Sequence, residues 1–116
     1  MLWLWVAAGL MVLTAMAHAV VGERRLIGPI LAIDDPLLAQ PLARRVIRFA
    51  WHITSLLMIM TAAMTVWPGT PRDLILLNGA LWLAVGLFDG MATRGQHIGW
   101  PMLTGAGAFA LLGGMA

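Results

Sequence analysis

The 116-residue chain contains no cysteine and no tyrosine, and because all seven of its basic residues are arginine it contains no lysine. The missing thiols exclude disulfides, thiolate metal sites and cysteine nucleophiles. The missing lysines leave guanidinium as the fixed cation, a group suited to bidentate contact with phosphate or carboxylate. Serine is almost absent too: Ser55 is the single one. It lies one turn from His52, with no acid or oxyanion donor in place, which is a poor start for a hydrolase. Charge of either sign is scarce, at 10% of the chain, while 61% is hydrophobic, against ~45–50% apolar content in a soluble domain. That balance excludes a water-soluble globule.

What is present is a series of long apolar runs. Leu2 to Val21 is uncharged and as a helix spans ~30 Å, the thickness of a bilayer's hydrocarbon core. Ala15-Met16-Ala17 and Ala17-His18-Ala19 resemble signal-peptide cleavage sites, but no basic segment precedes the run, so we expect a retained helix over about 2–21. Gly22-Glu23-Arg24-Arg25 is expected to end that helix. Leu26 to Ile33 is apolar but too short to cross and is expected to lie in the interface, within a long first loop. Pro41 suits the first position of a second helix, its span about 49–67, stopped by Pro68-Gly69. Thr70-Pro71-Arg72-Asp73 reads as cap, proline at the first position and an acid in the first turn of a third, about 74–92. Pro101 opens a fourth, about 99–116. The expected fold is a single all-α domain of 116 residues: a four-transmembrane-helix up-down bundle with no room for a soluble catalytic module.

Arginine placement sets the expected orientation. Arg24, Arg25, Arg44, Arg45 and Arg48 flank the first connection and Arg94 the third, while Arg72 alone marks the second, so the first and third connections are assigned to the cytoplasm and both termini to the outside. Trp3, Trp5 and Trp67 then belt the outer interface, Trp51 and Trp100 the inner, and Trp82 packs mid-span. Gly79, Gly86 and Gly90 form one small-residue face, and Ala106, Ala110 and Gly114 another, where close helix crossings are expected.

The chemically capable residues gather toward one leaflet: His18 before Gly22, His52 after Arg48, His97 in the third connection, with Glu23 and Asp89 as acids. Buried ionisable groups need partners, so Glu23 or Asp89 is expected to pair with Arg48 or Arg25. Three functional readings follow. In the first, His18 and His52 bind a cofactor, haem or a transition metal, with His97 as a further metal ligand; histidine at a span end is more often a hydrogen-bonded interfacial group. In the second, Arg25, Arg44, Arg45 and Arg48 contact anionic lipid or a protein partner; ordinary inside-positive topology accounts for the same residues without a ligand. The third is a small proton-coupled transporter, weakened because the first span has no carboxylate before Glu23. The sequence pI is near 11.2 but the net charge is only +2, which suits membrane headgroups and gives no case for nucleic acid.

His18-Ala19-Val20-Val21-Gly22-Glu23 and Arg48-Phe49-Ala50-Trp51-His52 together resemble a pattern, H-x-x-x-G-E followed by R-x-x-W-H, of small uncharacterised bacterial four-span inner-membrane proteins. The resemblance covers the first two spans and implies a multi-pass inner-membrane protein, with His18, Glu23, Arg48 and His52 as its site residues. Together these features lead us to expect a non-catalytic binding or accessory component, alone, as a homo-oligomer or within a larger complex. The alternatives are a metal- or haem-binding redox component and a proton-coupled transporter.

Overall fold

A computed structural model describes residues 1–116 and is entirely helical. Its four helices are α1 (Leu2–Leu31), α2 (Pro41–Val66), α3 (Arg72–Ala92) and α4 (Trp100–Met115). Pro41 and Pro101 lie in the first turns of α2 and α4, where a missing N–H is no loss. Gly69, at φ +87°, turns the chain after α2. α3 begins at Arg72 with Pro71 at its boundary, and Thr70 makes no side-chain cap bond.

The first helix departs from expectation. The polar cluster at Gly22 does not end it: the chain continues through one π turn, Glu23–Ile27, into Gly28–Leu31. Pro29 gives the physical reason. It has no N–H for the carbonyl one turn back and its ring crowds that turn, so the widened turn, closed by Gly28 N–H donating to Glu23 O, lets the helix pass. The segment expected to lie in the interface is therefore helical as far as Leu31, and the true connection is Ala32 to Gln40. At 30 residues α1 is ~45 Å long, half again the hydrocarbon thickness.

In space the order is α2, α1, α4, α3: α1 packs on both α2 and α4, α4 packs closely on α3, and α2 and α3 scarcely touch. The result is a flattened body of 52 × 31 × 19 Å. Its core is small-sided, built from Ala7, Ala8, Met11, Ala62, Trp82, Ala106 and Ala110. Most of the large apolar side chains, Leu77, Leu81, Phe88 and Leu57 among them, face outward, the arrangement that lipid rewards and water does not. α1, α2 and α3 are each long and apolar enough to cross a membrane. α4, at 16 residues, spans ~24 Å.

The small-residue faces of α3 and α4 meet each other. A Cβ at Gly79 would lie 3.0 Å from Ala110 Cβ and from Leu111 N, and one at Gly107 would collide with the Leu83 backbone. Backbone approach this close is open only to glycine. α2 and α3 are joined differently, by buried polar side chains. Asn78 Nδ2 donates to Thr65 Oγ1 at 3.1 Å and Trp82 Nε1 to Thr61 Oγ1 at 3.2 Å, while each threonine hydroxyl donates to a carbonyl of its own helix. Trp82 thus does more than pack. At the far end Arg72 Nε donates to Gly114 O at 2.6 Å, capping the negative end of α4.

Candidate functional site

The two sequence motifs fold into one side-chain assembly between α1 and α2. His18 and Gly22 are one helical turn apart on α1, and Arg48, His52 and Ser55 recur at i, i+4 and i+7 on α2, so each set shares a face. Across the contact the Trp51 indole lies flat on the His18 imidazole, ring centroids 3.9 Å apart and planes 10° from parallel. Trp51 Nε1 donates to His18 O at 2.8 Å, and His18 Nδ1 is hydrogen-bonded to Ser55 Oγ at 2.8 Å. Gly22 makes room for this: a Cβ there would lie 2.5 Å from Trp51 Cζ2 and 2.7 Å from Nε1. One residue on, Glu23 Oε1 pairs with Arg48 Nε at 2.7 Å, and His52 Nε2 stands 3.4 Å from Oε2, which is buried and makes no hydrogen bond.

Of the pairings expected for the acids, Glu23 with Arg48 is the one found. Asp89 pairs with neither Arg48 nor Arg25. It meets His97, Nδ1 to Oδ2 at 2.5 Å. The connection after α3 folds back on the last turn of that helix, with Arg94 at φ +53° and Gly95 at φ +74°, and Gly95 N–H donates to Gly90 O. Thr93 Oγ1 donates to Asp89 O and accepts from His97 N, holding the loop in place. Ser55, weighed in sequence beside His52, instead partners His18. Its proximity in sequence to His52 was the misleading signal; its position seven residues after Arg48, on the Arg48 face, was the informative one.

The three histidines occupy three different settings. His18 and His97 border one cavity of about 170 Å³, with Gly22 and Trp51 on the α1–α2 side and Ile98 and Gly99 on the other. His52 lies at Glu23. No three histidine or acidic side chains converge into a metal-binding group. The cavity is smaller than the ~300–1,000 Å³ of typical cofactor sites.

The arginines divide by what they touch. Arg44 Nη1 donates to Leu31 O and, at 3.5 Å, to Leu38 O, tying the end of α1 and the loop to α2. Arg48 is held by Glu23. Arg24, Arg25 and Arg45 are exposed. Antiparallel packing brings all of them, with Glu23, the three histidines and Asp89, to one end of the molecule, and leaves Arg72 and Asp73 at the other. Ser55, buried, and His18, half-buried, form a hydrogen-bonded pair that orients the imidazole. No protein family, curated protein or solved structure matches this chain.

Proposed function

We propose that the chain is a four-span inner-membrane protein of a bacterium, with both termini outside, acting as a non-catalytic binding or accessory component through its cytoplasmic end. The observation that carries this is the mutual engagement of the motif residues. His18, Gly22, Glu23, Arg48, Trp51 and Ser55 contact one another and lock α1 to α2, so their chemistry goes into shape, and the exposed arginines beside them supply a surface. The excess of arginine at that end supports a cytoplasmic assignment. α4 carries no charged residue from Trp100 to Ala116 and caps onto Arg72 at the opposite end, which supports a fourth crossing. The candidate partners are anionic lipids, a larger membrane complex or a second copy.

The absence of native cysteine makes the topology test clean. Leu2→Cys and Ala116→Cys are expected to react with a membrane-impermeant maleimide from outside intact cells, and protection of both until lysis refutes the orientation. Gentle detergent extraction is expected to yield a fixed-stoichiometry complex; a chain that stays alone counts against the accessory role. A second reading, a metal-binding component, is favoured by one observation: His18 and His97 border a common cavity with each Nδ1 already held, by Ser55 and Asp89, as a metal-ligating imidazole is oriented through its other ring nitrogen. Metal analysis and an absorption spectrum of the same preparation decide it.

A further inference from the structure

At the N-terminus of α2 the fold opens a groove of about 690 Å³ lined by Ala39, Pro41, Arg44, Arg45, Arg48 and Phe49. Two of its arginines are anchored from behind. Arg44 uses Nη1 on the Leu31 and Leu38 carbonyls, and Arg48 uses Nε on Glu23, so each side chain is fixed by one edge of its guanidinium and keeps other N–H donors free. Arg45 has no partner in the protein. The groove also sits at the positive end of a helix whose first backbone N–H with a carbonyl partner belongs to Arg44, on Gln40 O. Preorganised guanidinium donors at a helix N-terminus form the chemistry of a phosphate site. Phe49, in its lining, is 67% exposed, and Val46 and Leu42, three and seven residues earlier on the same helix face, are exposed apolar side chains too.

We infer that this groove binds the phosphate of an anionic phospholipid, with its acyl chains running along Val46 and Phe49. The basic rim alone fits any phosphate; the apolar strip continuous with it selects a lipid over a free anion. The inference rests on the reading that this end meets the inner leaflet, where anionic headgroups are available. Arg44 and Arg48 position the site through contacts that also hold the fold, so the informative residue is Arg45, which holds nothing else.

The test uses the full chain purified in a neutral detergent, titrated with phosphatidylglycerol, phosphatidylcholine or inorganic phosphate, with bound ligand counted by native mass spectrometry. Phosphatidylglycerol is expected to bind at one site per chain at least about tenfold more tightly than phosphatidylcholine. Loss of one charge-assisted contact in Arg45→Gln is expected to lower that affinity about tenfold. Arg45→Lys keeps the charge without the fork and falls between, and Arg94→Gln, at the same end but outside the groove, leaves the affinity unchanged. Equal affinity for the two lipids overturns the site, as does an equal loss in Arg94→Gln, which would mean diffuse attraction. Saturation by inorganic phosphate at the lipid's own concentration would make the ligand a free phosphate and overturn the lipid assignment. Binding in detergent does not depend on topology, so failure of the cysteine-labelling experiment and failure of this one are separate results.

Discussion

Replacing Gly22 by alanine tests the α1–α2 assembly at its tightest point. The added methyl would enter the space of the Trp51 indole, 2.5 Å from Cζ2 and 2.8 Å from Cε2, and a ring held on one side by the His18 imidazole and at its Nε1 by His18 O cannot yield without breaking both. Overpacking of this kind costs ~1–3 kcal/mol. The interhelical hydrogen bond is worth ~0.6–2 kcal/mol in a bilayer, and the stacked pair ~0.5–1.5 kcal/mol. These are alternative outcomes more than a sum, since the ring either stays and strains or leaves and forfeits its contacts. Against them stands the ~1 kcal/mol by which alanine is the better helix former. The net expectation for Gly22→Ala is a loss of ~0–2 kcal/mol, read from reversible unfolding in mixed micelles by circular dichroism. The decisive arm is the double-mutant cycle with Trp51→Leu: without the indole, Gly22→Ala becomes neutral or stabilising, a coupling of ~2 kcal/mol. Should alanine stabilise the parent, or destabilise the Trp51→Leu background equally, the close approach of Gly22 to Trp51 is wrong.

Two further perturbations probe the other helix contacts. Asn78→Leu removes the hydrogen bond to Thr65 that links α2 to α3; stability is expected to fall by ~0.6 kcal/mol and by no more than ~1.7 kcal/mol. Disulfide formation between cysteines placed at Leu57 and Leu81, which both line the α2–α3 cleft, is expected to slow in the same background, and an unchanged rate refutes the role given to Asn78. Gly107→Ala drives a Cβ into the Leu83 backbone and within 2.7 Å of Gly79 O, while Gly9→Ala meets nothing within 4 Å. The first is expected to cost at least ~2–3 kcal/mol, because backbone cannot move aside as a side chain can, and the second to gain up to ~1 kcal/mol. Equal unfolding midpoints for the two would rule out the close α3–α4 crossing.

Much of the helix plan was legible because its signals are local. Proline in the first turns of α2 and α4, Pro68-Gly69 after α2 and the apolar runs themselves depend on a few neighbouring residues and on composition, and the observed boundaries fall within a few residues of the expected ones. α1 is the exception. Gly-Glu-Arg-Arg followed by Gly28-Pro29 has the composition of a helix end, yet a single π turn absorbs the proline and Glu23 finds its counter-ion on another helix. A polar cluster ends a helix only if its side chains have no better partner, and that partner is set by the fold.

The candidate site divides the same way. Helical spacing puts Arg48 and His52 on one face of α2, since residues a turn apart share a face, while the grouping of both with His18 and Glu23 came from the resemblance of the two motifs. Spacing says nothing of how two helices are rotated against each other. Neither the bond from Ser55 to His18 nor the stacking of Trp51 on it follows from spacing, and Asp89, for which an arginine is the expected partner, meets His97 because its loop folds back. The sequence by itself determined an all-helical chain, apolar enough to cross a membrane at least three times, whose charges concentrate at one end, because transfer energies and helix-breaking act on short stretches of chain. Only the tertiary structure decided which polar groups meet, that α1 and α4 form the middle of the body, and that the arginines frame a groove, because those outcomes depend on glycine-scale approach between backbones and on helix rotation, which no local signal carries.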